Sequence, residues 1–452
     1  MKKNWNILQV NASDIRGGAA TVAWRLHNSF LKENIISKFA VRYKFSSDKN
    51  VITIDNDKQR NLWFQFFHFC VVKTEIFSWT ISRFLLKIAN LKFYFYKRQG
   101  KEYFDFEGFE KIVEEIKPNL IHAHVLHGDY FDLKFLSSIS NTIPVIITMH
   151  DAWLLSGHCA HSFDCEKWKT GCGNCPDLTI RPSIKKDATA FNWKQKNEFY
   201  KDSKFIIITP CQWLMDKVDQ SMMKTNLIFQ RVIANGIDLN LFKPFDKSQI
   251  RLELDIPKNK KVVLFAANGI KNNIWKDFET LKIAIEIIDE ITKQEILFLA
   301  IGEKSEDIFY ENCKLEFIPF VYSENEIAKY FQAADIYVHA ANADTFPTTI
   351  LEALASGLPI VATSVGGIPE QVKGLKNSVV TNCHDNQFDV NEATGFLINK
   401  KDSNSMAKAI LEILSNTNLY EKLTFNARKD AENRFDLVHQ KNQYLEIYNQ
   451  FI

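Results

Sequence analysis

Short apolar runs punctuate the chain. Ile7–Val10, Leu120–Val125, Val145–Met149, Phe205–Pro210, Val262–Ala266, Ile296–Ile301, Leu315–Ile318 and Ile360–Ala362 are each followed by a polar or glycine-bearing turn. Unbroken apolar stretches this short suit strands covered on both faces, as in parallel sheets, rather than strands with one wet side. Helical spacing appears between them. Trp24, Leu26 and Phe30 predict a helix after the first run; Phe109–Ile116, Glu324–Gln332 and Leu437–Phe451 predict others. Strand and helix in alternation argue for an α/β fold of doubly wound units.

At 452 residues the chain exceeds what one hydrophobic core usually organises, so two substantial domains are expected. Asn235-Gly236 is a turn signal, and strands begin afresh at Lys261. The expected division is 1–234, 235–434 and a final helix within 435–452. Apolar content of 46% with 24% charge is that of a globular protein, and a net charge of +2 gives no footing for nucleic-acid binding. The opening MKKNWNILQVN lacks the apolar centre of a secretion signal, and no apolar run approaches the roughly 20 residues of a spanning helix. A cytoplasmic location with reduced cysteines is therefore expected.

The densest chemistry lies between Asp344 and Glu370, DTFPTTILEALASGLPIVATSVGGIPE. Leu351, Leu354 and Ala355 make a helical stripe, and Gly357 suits a left-handed end to it. Thr345, Phe346, Pro347, Thr348 and Thr349 precede or open that helix, where free backbone amides suit a diphosphate. Asp344 and Glu352 stand eight residues apart. Upstream, Lys271 and Lys276 occupy the strand-to-helix loop Ala267–Lys276, a fitting place for a cation facing a leaving diphosphate.

In the first half, Gly17 and Gly18 sit in a strand-to-helix loop where backbone can approach a ligand closely. His124, His127 and Asp129 follow one strand, and His150 and Asp151 end the next, so all reach the carboxyl edge of a parallel sheet. The span GHCAHSFDCEKWKTGCGNCP brings Cys159, Cys165, Cys172 and Cys175 together, with His158 and His161 nearby. A structural zinc, a disulfide pair and unliganded thiols are all open readings. Between Asn61 and Lys101, aromatic residues interleave with Lys and Arg, and Phe77, Ile81, Phe84, Ile88 and Leu91 keep helical spacing. Either the aromatics pack on the first domain, or the segment lies on an anionic membrane surface.

The Asp344-x7-Glu352 pair resembles the Glu-x7-Glu signature of the retaining nucleotide-sugar glycosyltransferases of family 4. Ala234-Asn235-Gly236-Ile237-Asp238 with Phe242 and Pro244 is similar to that family's interdomain linker, and His122-Ala123-His124 to its HxH strand end. The resemblance implies the GT-B fold: two Rossmann-like domains facing a cleft, with a C-terminal helix crossing back to the first. It implies that Asp344 meets the donor sugar, Glu352 the ribose, Lys276 the diphosphate with Lys271 as a second cation, and the edge near Val321 the base. Gly17 and Gly18 would line the donor phosphate. His124 would orient or polarise near the anomeric centre without acting as a base, with His127, His150 and Asp151 on the acceptor side.

No divalent ion is implied for transfer. The expected reaction moves a sugar, with retention, from a nucleotide-diphosphate sugar to a saccharide hydroxyl, the acceptor being lipid-linked. The cysteine span resembles the subgroup that makes exopolysaccharide and colanic-acid-like polymers. Departures occur at Asp344 (family Glu), Asp277 (family Gly) and Cys211 (family Ser). A nucleotide-sugar epimerase and a sugar-nucleotide-binding partner without turnover are the rival expectations.

Overall fold

Residues 5–56, 62–75, 78–376 and 387–452 are described by a computed structural model of the protein. The chain divides into two compact units. The first comprises Met1–Pro210, Leu214–Ile233 and Tyr444–Ile452; the second comprises Cys211–Trp213 and Ala234–Gln443.

Unit 1 is built on a seven-stranded sheet of β1 (Asn6–Ser13), β2 (Ile36–Tyr43), β3 (Val51–Thr53), β4 (Leu120–Ala123), β5 (Val145–Thr148), β6 (Phe205–Thr209) and β7 (Leu227–Val232). The order is β3-β2-β1-β4-β5-β6-β7, parallel at every pairing. The strand order reverses between β1 and β4, so the loops after these two strands diverge and leave room for chemistry. β1 runs three residues past the predicted Val10, because Asn11 and Ser13 continue the register with β2 at Val41 and Tyr43. β4 stops two residues short of the predicted Val125. There the His124 amide still bonds Val10 O, but the Val125 amide turns to the Asn11 side chain at 3.0 Å.

The last helix, Leu437–Phe451, begins in unit 2 and ends in unit 1. Its Tyr444, Ile447 and Tyr448 join Ile7, Leu26, Phe30, Leu120 and Ile146 in the buried core of unit 1. Burial of side chains this large stabilises by roughly 1.5–3 kcal/mol each, so the end of the chain is part of that core.

The aromatic segment forms three helices, Leu62–Glu75, Trp79–Ala89 and Leu91–Arg98. Phe64, Val71, Ser82 and Ala89 are buried, whereas Trp63, Phe66, Phe69, Trp79, Phe84 and Phe95 are exposed. Packing on the domain therefore does not account for most of its aromatics. Asn61, Phe77 and the residues before Trp5 lie outside the described residues.

Among the described residues, unit 2 has nine strands: β8 (Lys261–Ala266), β9 (Ile296–Ile301), β10 (Ile308–Phe309), β11 (Cys313–Ile318), β12 (Ile336–His339), β13 (Ile360–Thr363), β14 (Gly374–Leu375), β15 (Gln387–Phe388) and β16 (Gly395–Ile398). Their order is β10-β11-β9-β8-β12-β13-β16-β14-β15, with only β10 antiparallel to its neighbour. Helix Phe278–Ile291 packs Leu281, Ala284, Ile285 and Ile288 onto one side of the core. Asp277, which replaces the family's glycine, caps that helix by accepting the Thr280 amide and hydroxyl at 3.3 and 2.7 Å. Gly357, with φ +73°, follows helix Thr348–Ala355 as predicted.

A buried ion cluster ties the opening helix of unit 2 to its sheet. Asp335 accepts from Arg251 Nη2, Lys247 Nζ and the Val262 amide, each at 2.8 Å. Burial alone would raise the Asp335 carboxyl, but Lys247 and Arg251 outweigh it and hold the group below its ordinary range. Asp335→Ala strands the Arg251 charge, so a loss of about 3–5 kcal/mol is expected, read as a lower urea midpoint for the full-length protein.

Candidate functional site

In unit 2 the chemistry gathers beyond the carboxyl ends of β8 and β12, which are paired neighbours. The loop after β8 is fastened to the segment after β12. Lys276 bridges Ala341, the Asp277 amide bonds Ala340 O, and Asn342 donates to Lys276 O at 3.1 Å. Thr363 at the end of β13 completes the frame, accepting the Ala341 amide at 3.0 Å.

This frame brings Lys276 Nζ to 2.7 Å from Asp344 Oδ2. His339 Nε2 lies 3.1 Å from Lys276 Nζ and 3.3 Å from Asp344 Oδ2, and its Nδ1 lies 3.0 Å from the Tyr337 hydroxyl. Burial alone would raise the Asp344 carboxyl, yet Lys276 and His339 overcome it and hold the group far below the usual carboxylate range. Burial, helped by Lys276, lowers His339 to about 4, so the imidazole is neutral at physiological pH. The result is a fixed ammonium beside an ionised carboxylate and a neutral ring.

The stretch from Asp344 onward is shaped by two glycines. Gly366 has φ +58°, and a Cβ there would come within 1.8 Å of Asp344 O. At Gly367 a Cβ would meet Thr345 O at 2.2 Å, while its amide bonds that same oxygen at 3.0 Å. Helix Thr348–Ala355 then starts behind Pro347 with no side chain capping its first amides. Glu352 is buried within it; Phe346 is buried against Phe435, with ring centroids 6.1 Å apart. Thr349 bonds the Tyr337 hydroxyl, so the helix is tied to the lysine–aspartate group through Tyr337 and His339. Lys271 bonds Ser305 at 2.5 Å and lies 4.7 Å from the Phe317 ring centroid. Val321 is half-buried in the loop between β11 and helix Glu324–Ala333.

At the carboxyl edge of the unit 1 sheet, imidazoles bond to one another and to Gln9. The His124 Nε2–H donates to Gln9 Oε1 at 3.2 Å, and its Nδ1 accepts from His150 Nε2 at 3.1 Å. Gln9 in turn donates to Ser37 Oγ at 3.3 Å, which lies 2.8 Å from His27 Nδ1. Burial, with His122 and His150 adding to it, holds His124 well below the ordinary imidazole range; His150 falls to about 4 for the same first reason. Both nitrogens of His124 are thus engaged inside the unit. His127 Nε2 donates to Asp151 Oδ2 at 3.1 Å, and the Asp151 Oδ1 atom accepts the Trp153 amide at 2.9 Å. The loop after β5 rests on Lys196, which is fully buried, donates to Trp153 O and Ser156 O, and lies 3.6 Å from the Trp153 ring centroid. Gly17, at φ +102°, and Gly18 open helix Gly18–Lys32, and an added Cβ at either would meet nothing within 4 Å.

Cys159, Cys165, Cys172 and Cys175 are free thiols. Among the described residues no group of three or more His, Cys, Asp or Glu is placed to hold a metal ion, so this arrangement does not gather the four thiols into a ligand set. Cys172 Sγ instead accepts the Gly157 amide at 3.3 Å, and His158 Nε2 lies 3.4 Å from Cys175 Sγ. Burial pushes the Cys172 thiol up to about 11.

Sequence reasoning missed His339, Tyr337, Gln9 and Lys196. The first two lie in the apolar run of β12, and only the strand-end position of His339 signalled it.

Residues 246–430 match the family model described as Glycosyl transferases group 1. The Escherichia coli (strain K12) protein named as the colanic acid biosynthesis glycosyl transferase WcaC is 29% identical over 245 residues, 52% of this chain and 55% of that one. A D-inositol 3-phosphate glycosyltransferase of Nocardioides sp. is 22% identical over 236 residues, 48% of this chain and 47% of its own. The chain spans about half the length of the curated relatives it matches. Among solved structures, sucrose-phosphate synthase from Thermosynechococcus elongatus aligns with a TM-score of 0.64 at 15% identity, covering 99% of this chain and 98% of that one. Anabaena Alr3699/HepE in complex with UDP and glucose gives 0.62 at 16%, covering 98% and 99%. The fold is GT-B, with two Rossmann-like parallel-sheet domains.

The buried neutral imidazoles make stability depend on acid. An unfolded histidine takes up its proton near pH 6.5, whereas folded His339 and His150 refuse it until about 4. Stability is therefore complete above about pH 6.5 and falls as pH drops toward 4, by about 3 kcal/mol for each such group. The urea midpoint should fall over that window, and less steeply in His150→Gln.

Proposed function

We propose that this protein is a retaining glycosyltransferase of family 4. It moves a sugar from a nucleotide-diphosphate sugar to a hydroxyl of a saccharide acceptor on a lipid carrier, at the inner face of the plasma membrane. The observation that carries the reading is the Lys276–Asp344 pair at 2.7 Å, tied to an uncapped helix N-terminus within a segment matching group 1 glycosyl transferases. The relative named for colanic acid biosynthesis favours a cell-surface polysaccharide as the product.

In this reading the bond from the anomeric carbon to the diphosphate oxygen breaks as the acceptor oxygen bonds that carbon. The hydroxyl proton is released, and the nucleoside diphosphate departs as an anion. Lys276 and the amides of Phe346, Thr348 and Thr349 stabilise that anion, and no divalent ion is required. The charge is preorganised: Asp344 and His339 hold the ammonium in place before the donor arrives, so little reorganisation remains for the reaction itself. Asp344 also offers its carboxylate to sugar hydroxyls, and Glu352 offers its own to the ribose.

His124, with both nitrogens engaged, acts by positioning His150 rather than by taking a proton. His127 and Asp151 form a second polar pair on the acceptor side, and the open Gly17–Gly18 turn lets a ligand approach backbone closely.

The reading is tested by thermal shift against UDP, GDP, ADP and their sugar conjugates. A ligand at ~100 times its Kd stabilises by about 2.7 kcal/mol, a shift of a few degrees in a chain this long. One nucleotide should give that shift, and Glu352→Ala should abolish it. With that donor, transfer or slow hydrolysis should fall about 100- to 1,000-fold in Lys276→Ala and Asp344→Ala. No shift with any nucleotide would favour a partner without turnover; conversion of the donor into a different nucleotide sugar with no acceptor present would favour an epimerase.

A further inference from the structure

We infer that helices Leu62–Glu75, Trp79–Ala89 and Leu91–Arg98 form a docking surface for a bilayer rich in anionic lipid headgroups. The first two helices pair with each other: Trp63 Nε1 donates to Ile88 O at 3.1 Å, and Ser82 Oγ donates to Val71 O at 3.4 Å. Phe64, Val71 and Ala89 are buried. Phe67, Leu85, Leu86, Phe93, Tyr94 and Tyr96 are half-buried, and a set of others faces outward. Trp63, Phe66, Phe69, Trp79, Phe84 and Phe95 are each more than half exposed, a concentration of aromatic surface that a freely dissolved protein rarely leaves uncovered.

Charge selects the occupant. From Leu62 to Lys101 there are seven Lys and Arg against one Glu, a net +6, whereas the whole chain carries +2; all other residues together therefore sum to −4. Lys92 and Lys97 are paired with Asp105 and Asp129, which lie outside this window, while Lys73, Arg83 and Lys87 stand on the helices that carry Phe69, Trp79 and Phe84. Arg83 stands 4.3 Å over the Trp79 ring centroid and Lys73 stands 5.5 Å over that of Phe69. Rings able to enter the headgroup boundary beside cations able to meet phosphate are what an interfacial surface requires. A second copy of the same face would bring like charges together, which opposes self-association. Among the described residues no helix is long and apolar enough to cross a membrane, so the contact is one of lying on the surface.

This deepens the reading above by naming the surface that meets the membrane, but its test needs no sugar donor, so either can fail without the other. The full-length protein is sedimented with vesicles of phosphatidylcholine alone and of phosphatidylcholine mixed with phosphatidylglycerol, at low and high salt. Binding is expected only to the mixed vesicles, and weaker at high salt. Each of Arg83→Gln and Lys87→Gln should weaken it about fivefold. Each of Trp79→Ser and Phe84→Ser should weaken it roughly tenfold, with the thermal midpoint unchanged because these side chains are exposed. Protein that stays in the supernatant with both vesicles would overturn the inference. So would variants that bind as well as the parent, or a parent dimer that light scattering shows Phe84→Ser to dissolve.

Discussion

Asp344 is a half-buried carboxylate that desolvation would push toward its neutral form, kept ionised by the ammonium of Lys276. Much of the local construction of unit 2 serves that pair. The two residues come from loops after neighbouring strands, and the loops are stitched by main-chain bonds at Ala340 and Ala341 before the side chains meet. Asp277 starts its helix directly after Lys276, which fixes where the lysine stem leaves the backbone. Gly366 and Gly367 let the returning strand pass against Asp344 and Thr345 at distances no side chain would allow. Removing one partner of this half-buried pair leaves the other charge poorly solvated, so the site is also a structural commitment.

Unit 1 orders its sheet edge with imidazoles that burial keeps neutral. His27, Ser37, Gln9, His124 and His150 form a chain of hydrogen bonds from a helix through three strands to the sheet edge. Each imidazole is neutral because it is dry, and each therefore offers one donor and one acceptor. The chain fixes ring orientation at the edge, where the ionised Asp151 carboxylate also lies. One unit thus holds a close pair of opposite charges, the other a chain of neutral imidazoles beside the ionised Asp151 carboxylate.

Much of this was legible in the sequence, for reasons that differ by element. Strands read well because parallel sheets demand continuous apolar runs, and the errors at Ser13 and Ala123 arose where side chains or extended register, not hydrophobicity, decide the end. Lys276 and Asp344 were singled out by the family resemblance and by their place in strand-to-helix loops, and the structure brings them within 2.7 Å of each other. His339, Tyr337 and Gln9 were not, because a polar residue within an apolar run takes its meaning from partners many residues away. The aromatic helices could not be assigned from composition, since packed and exposed aromatics share a spacing. The cysteine span left zinc, a disulfide pair and unliganded thiols open, because thiol density and spacing do not fix where each sulfur points.

The last helix has a consequence for the order in which the protein comes into being. Tyr444 and Tyr448, which close the core of unit 1 and bond Thr148 and His122 at 2.8 and 2.6 Å, lie roughly 200 residues beyond Ile233. A ribosome adding ~5–20 residues per second needs about 10–40 s to bridge that gap. Throughout it, Ile7, Leu26, Phe30 and Leu120 are without the side chains that cover them, and His122 is without its tyrosine. Unit 2 has its own strands by then, so the half synthesised first is the half completed last.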